Sequence, residues 1–135
     1  GMYRNPVLHA DYSDPDVCVV GEDYFLTASS FNCTPGLPIL HSKDLVNWKI
    51  VNYALKKVEP VEYYNEARHG KGVWAPSIRF HEGMYYIYWG DPDFGIFMVK
   101  TRDPYGLTPV RYGMTTDGCI WLMHGLEAER NSTVC

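Results

Sequence analysis

The sequence predicts an all-β fold assembled from β-propeller blades, and three observations carry that reading. A polar, proline-locked turn, Ser13-Asp14-Pro15-Asp16, feeds an apolar run beginning Val17-Cys18-Val19-Val20, and later Gly72-Val73-Trp74-Ala75-Pro76-Ser77 feeds a second run from Ile78. Aromatic and β-branched stretches are bounded by Gly, Asp and Pro, the mark of strands rather than helices. The strand runs then recur in one order, with Ser42-Lys43-Asp44 answered by Thr101-Arg102-Asp103. Such a period is the signature of a repeat architecture. The blade is its natural unit, because propellers repeat small antiparallel sheets around an axis.

In the first unit, Val17 leads to a turn at Gly21-Glu22-Asp23 and a strand from Tyr24 to Ser30. After a loop, another strand runs from Gly36 to Leu45, and Trp48 is expected to pack as the blade's anchor. In the second unit, Ile78 leads to a turn at His81-Glu82-Gly83, then Met84 to Trp89, a loop, and Gly95 to Asp103. A third unit is expected to open at Asp117-Gly118 and run through Cys119 to Gly125. Residues 56–71 break the repeat. They are polar, contain Pro and Gly, and suit a linker with a short helical turn around Glu62 to Arg68. In a propeller such insertions shape the rim of the binding face.

With 135 residues, 46% of them hydrophobic, the chain can build one compact domain with a real core. A net charge of −4 without a Lys/Arg block gives no electrostatic footprint for nucleic acid. No apolar run approaches the roughly 18 residues of a membrane span. Gly1 before Met2 reads as a tag remnant. With Met2 as the start there is no secretory signal, so a cytoplasmic location is expected. Cys18, Cys33, Cys119 and Cys135 show neither a C-x-x-C pair nor zinc spacing. Cys18, inside an apolar strand, is expected to be a buried thiol. The five histidines are scattered and form no metal triad.

Asp14 is the carboxylate most open to a chemical reading. The residue before a proline is held out of the right-handed helical region. At a strand mouth its side chain can point into an axial cavity, or it can simply form the turn, as Asp-Pro often does. Asp91-Pro92-Asp93 could mimic this turn, but it is expected to be the loop of the second blade's later hairpin.

Several further segments carry a resemblance. Asn5-Pro6-Val7-Leu8 through Ser13-Asp14-Pro15-Asp16-Val17, Ser29-Ser30-Phe31, Pro35-Gly36-Leu37-Pro38-Ile39, and His41-Ser42-Lys43-Asp44-Leu45-Val46-Asn47-Trp48 stand in order, followed by Gly72-Val73-Trp74-Ala75-Pro76-Ser77-Ile78 and Gly95-Ile96-Phe97-Met98. Together they resemble glycoside hydrolase family 43, most of all its β-xylosidase, arabinofuranosidase and xylanase members. The resemblance is good over residues 3–106 and poor over 107–135. It implies a five-bladed propeller, of which residues 3–135 would supply about two to three blades. It also implies inverting hydrolysis of glycosidic bonds in xylan or arabinan.

Inverting hydrolysis needs an ionised carboxylate to draw a proton from water and a protonated one to serve the leaving oxygen. The resemblance implies that Asp14 is the general base. It places Phe31 and Trp74 against the sugar, although either ring could equally belong to blade packing. The family's general acid and its pKa-tuning aspartate have no counterpart here, because there is no Glu-Gly-Pro motif and no Asp-Pro or Asp-Ala turn before the third unit. An axial calcium occurs in some members, held from a blade without a match here, so no metal and no cofactor is expected. Two functions stay open: a glycosidase that obtains its missing carboxylates from another chain, and a non-catalytic carbohydrate-binding or truncated β-module. The expected ligand of either is a xylose- or arabinose-containing oligosaccharide. Uncovered blade faces bearing Phe25, Ile39, Tyr86, Ile87 and Phe97 predict a homo-oligomer.

Overall fold

The computed structural model describes residues 1–106, 110–114, 120–123 and 133–134. It is nearly all β. Strands β1 (Asp16–Val20), β2 (Asp23–Thr27), β3 (Gly36–Ser42) and β4 (Lys49–Leu55) form one antiparallel meander in the order β1-β2-β3-β4. Strands β5 (Trp74–His81), β6 (Met84–Asp91), β7 (Gly95–Thr101), β8 (Val110–Met114), β9 (Ile120–Met123) and β10 (Thr133–Val134) form the second sheet, with neighbours in sequence order. Between the two sheets in sequence comes the single-turn helix α1 (Val61–Tyr64), which overlaps only the start of the expected turn around Glu62 to Arg68. No described helix is long and apolar enough to cross a membrane.

The predicted turns are where the sequence puts them. Val20 pairs with Asp23 across a two-residue loop whose first member, Gly21, has φ 63°. His81 pairs with Met84 across Glu82 (φ 47°) and Gly83 (φ 76°). Two successive positive φ angles give the mirror-image turn that matches strand twist.

Each sheet offers an apolar face to the other. Phe25, Leu37, Ile39, Ala54 and Leu55 of the first sheet meet Ile78, Tyr85, Ile87, Phe97 and Val99 of the second. Along β6 the alternation is plain: Tyr85, Ile87 and Trp89 are buried while Tyr88 is exposed. Phe25 and Tyr85 meet edge to face with ring centroids 5.1 Å apart. Burying a side chain such as Phe25 contributes about 1.5–3 kcal/mol. Cys18 is buried, as expected. β1 runs beside β5, and the Asp16 carboxylate ties them, accepting the Ile78 amide at 2.8 Å and the Arg79 guanidinium at 2.5 Å. Burial pushes the Asp16 carboxyl up, but those two donors and Ser77 hold it below the usual aspartate value.

Three expectations change. Each sheet has a strand that the three-run reading passed over: β4 in the first and β8 in the second. β9, expected to open a third unit, pairs with β8 through Met114↔Ile120 and extends the second sheet. A short connection between sequential strands favours antiparallel pairing over a new sheet; Asp117-Gly118 lies outside the described residues. Finally, Phe25, Ile39, Ile87 and Phe97 are not uncovered. They are 2%, 3%, 5% and 8% exposed, because the two sheets cover each other, and Tyr86 is half-buried. The stated ground for self-association therefore falls away. Trp48 is half-buried, and its indole N–H donates to the Leu45 carbonyl at 3.0 Å, so it closes the turn after β3.

Candidate functional site

The mouths of β1 and β5 meet at one end of the two sheets, and Asp14 stands there exposed. Its φ of 48° is left-handed rather than extended, a region uncommon for residues other than glycine. That turn brings its Oδ2 to two hydroxyls, Ser13 at 2.9 Å and Ser29 at 3.0 Å. Ser29 also accepts the Ala75 amide at 2.8 Å, so its proton is directed at Asp14. Its own backbone N–H donates to the Ser13 carbonyl at 2.9 Å. Asp14 Oδ1 accepts no hydrogen bond from a described residue and is free to meet water or a ligand.

Phe31 sits at the first sheet's contribution to this region with φ 51°. It forms a two-bond bridge with Val73: the Phe31 amide donates to the Val73 carbonyl at 3.1 Å, and the Val73 amide returns at 3.0 Å. Gly72, with φ 95°, makes this approach possible, because a Cβ there would lie 2.5 Å from the Phe31 carbonyl oxygen. Trp74 follows as the first residue of β5. It is 43% exposed, so it is not a core tryptophan, and its indole N–H donates to the Gly70 carbonyl at 2.7 Å. Ala75 has φ 38°. Left-handed conformations at Asp14, Phe31 and Ala75 thus cluster where the two sheets touch. Strain of this kind gathers at functional sites and persists where surrounding bonds over-determine it.

A concavity of about 370 Å³ adjoins this region, walled by Asp11, Tyr12, Ser13, Ser29, Ser30 and Phe31, with Cys33 and Tyr53 beyond. Its size and mixed lining suit a small polar ligand. Phe31 lines it; Asp14 and Trp74 do not. The concavity's lining comes from the segment before β1 and from the first sheet and its loops, whereas Trp74 belongs to the second sheet. Burial, and then the neighbouring Tyr53, raises the Tyr12 phenol above its ordinary value.

The other candidates have structural partners. Asp91 is 5% exposed; it accepts the Tyr64 hydroxyl at 2.6 Å and the amides of Asp93 and Phe94. His69 and His81 are exposed, and His41 pairs with Asp23 at 2.6 Å. No group of three or more His, Cys, Asp or Glu among the described residues could hold a metal ion. The sequence reading missed Ser13 and Ser29 as partners of Asp14. The available signal for Ser29 was a serine pair closing an apolar strand just before Phe31.

Comparison with known proteins agrees with this architecture. Residues 3–108 match Glycosyl hydrolases family 43. The non-reducing end alpha-L-arabinofuranosidase BoGH43B of Bacteroides ovatus is 39% identical over 110 residues, 77% of this chain and 20% of that protein. A beta-xylosidase of Formosa agariphila is 38% identical over 106 residues, covering 76% of this chain and 18% of its own length. Among solved structures, a bifunctional GH43-CE protein of Bacteroides eggerthii aligns with a TM-score of 0.73 and 28% identity, over 93% of this chain and 20% of that one. The GH43 protein BlXynB of Bacillus licheniformis, as its K247S mutant, gives 0.68 and 30%, over 90% of this chain and 29% of its own. The chain thus spans about a fifth of the length of the curated relatives it matches first. Its strands, turn motifs and paired blades have one common explanation: the chain belongs to glycosyl hydrolases family 43.

Proposed function

We propose that this chain carries the general-base side of a glycosidase site for xylose- or arabinose-containing oligosaccharides, with Asp14 as the base and Phe31 and Trp74 as the sugar-facing rings. One observation carries the reading. A strained, exposed carboxylate is held by two directed hydroxyls, and the Ser29 hydroxyl joins it to the backbone beside Trp74. In the reaction, Asp14 takes a proton from water as the water oxygen bonds to the anomeric carbon. The glycosidic C–O bond breaks on the opposite face, and the leaving oxygen takes a proton from a second carboxyl group.

By the family resemblance, that second carboxyl group belongs to a blade without a match in this chain. Asp16, Asp91 and Asp93 are already committed to backbone amides, Arg79, Tyr64, Tyr63 and Lys71. The names of the relatives support the sugar class. Titration calorimetry with xylotriose and arabinotriose tests the proposal. Weak binding of either sugar, weakened further but still measurable in Trp74→Ala, supports it; no heat with either at millimolar concentration defeats it.

A further inference from the structure

We infer that Asp93 is a positioning residue for sugar binding: its carboxylate clasps Tyr63 and Lys71 and so fixes the turn whose Gly70 carbonyl orients the Trp74 indole. The inference rests on the proposed role of Trp74 as a sugar platform.

The clasp has two arms on one carboxylate. Lys71 Nζ reaches Asp93 Oδ1 at 2.8 Å, and the Tyr63 hydroxyl donates to Oδ2 at 3.0 Å. Between these two partners the chain makes a tight turn. The Lys71 amide donates to the Arg68 carbonyl at 2.9 Å, and Gly70, at the third position of that turn, has φ 75°. A positive φ at this position is what a type II turn demands. The start of the turn is held as well. The Arg68 guanidinium lies over the Tyr63 ring at 4.4 Å, and its Nε donates to the Tyr63 carbonyl at 3.4 Å. Both ends of the turn therefore refer back to Asp93, one through Tyr63 and the other through Lys71.

The exposed apex of this turn carries the carbonyl that matters. Gly70 O is the described partner of the Trp74 indole N–H. Trp74 itself pairs with Gly90, next to Asp91, so the clasp and the indole lie at the same end of the second sheet. A lone surface ion pair contributes little to stability. Here the consequence is orientational: an exposed ring with a single polar tether takes its angle from whatever holds the tether. Precise rings need such support behind them. Asp93 is itself well placed to give it, because the buried Asp91 carboxylate fixes the Asp93 amide at 2.9 Å.

The test uses the full chain labelled with 5-fluorotryptophan, the Trp74 resonance being assigned by its loss in Trp74→Leu. Asp93→Ala and Lys71→Met are expected to shift or broaden that resonance in sugar-free protein. They should also weaken xylotriose binding about three- to tenfold, the scale of one or two hydrogen bonds. In a Trp74→Leu background, Asp93→Ala should cost no further affinity. An unmoved Trp74 resonance in both variants overturns the inference, as does an equal loss of affinity with and without Trp74. If Asp93→Ala does not fold, Lys71→Met decides. If the wild-type chain takes up no xylotriose, the proposed function fails, and the sugar-free resonance alone judges the clasp: moved supports it, unmoved overturns it.

Discussion

The Ser29 hydroxyl donates to the Asp14 carboxylate at 3.0 Å while accepting the Ala75 amide at 2.8 Å. A carboxylate on the first blade is thereby aimed by the backbone of the second. Ser29→Ala should remove both bonds at once. Ser29 is 7% exposed, so both hydrogen bonds would be lost from a buried side chain. A loss of about 1–3 kcal/mol in stability is expected, read by urea denaturation. Weaker sugar binding should accompany it. Unchanged stability would mean that water replaces the hydroxyl freely and that the two blades are not joined there.

Gly72 is a harder constraint. Its φ of 95° is one that side chains rarely adopt, and an added Cβ would meet the Phe31 carbonyl oxygen at 2.5 Å and its carbon at 2.7 Å. Neither neighbour is a flexible side-chain tip; both are backbone. Gly72→Ala should therefore cost at least about 2 kcal/mol and open the Phe31–Val73 bridge. Hydrogen exchange at the Phe31 and Val73 amides checks this, and both should lose protection together.

Acid should loosen the contact between the blades. The Asp16 carboxyl sits below the usual aspartate value in the fold because the Ile78 amide, Arg79 and Ser77 outweigh its burial. A carboxylate whose folded pKa is depressed favours the fold above its unfolded pKa, roughly 4. That contribution fades as pH falls through the lower, folded value. Asp16→Asn should lower stability at neutral pH and flatten the decline on acidification. Melting curves from pH 7 down to acid, for the two proteins in parallel, test both statements. Parallel curves would show that Asp16 takes no part.

Much of this fold was legible because each unit writes its turn chemistry twice. The Ser42 hydroxyl accepts the Asp44 amide at 3.1 Å after β3, and the Thr101 hydroxyl accepts the Asp103 amide at 3.1 Å after β7. The sequence match between Ser-Lys-Asp and Thr-Arg-Asp is thus one local structure used twice. β4 was illegible for a physical reason. Ile50 and Tyr53 are exposed while Ala54 and Leu55 are buried in succession, and its register against β3 shifts at Ile39/Leu40. Without alternation, period-two reasoning has nothing to detect. At the site, Asp14, Phe31 and Trp74 were nameable from motifs. Their supports were not: an Asp before Pro reads as extended, yet Asp14 is left-handed, and the hydroxyl of Ser29 finds Ala75 from far along the chain.

Catalysis by the isolated chain is the sharpest test of roles. Asp14 can take a proton from water, but no residue matches the family's general acid, and the nearby Asp16, Asp91 and Asp93 are tied to structural partners. A positioned proton donor contributes about 10²–10⁴-fold. Turnover of alkyl xylosides and arabinosides by this chain alone should therefore be undetectable. Aryl glycosides with good leaving groups depend least on the acid, so they give the fairest assay. Little or no hydrolysis of nitrophenyl xyloside or arabinofuranoside is expected. Should the purified chain hydrolyse them at a rate abolished by Asp14→Ala, a proton donor acts within this chain or across an interface between chains. Activity that survives Asp14→Ala would instead remove Asp14 from the role of base.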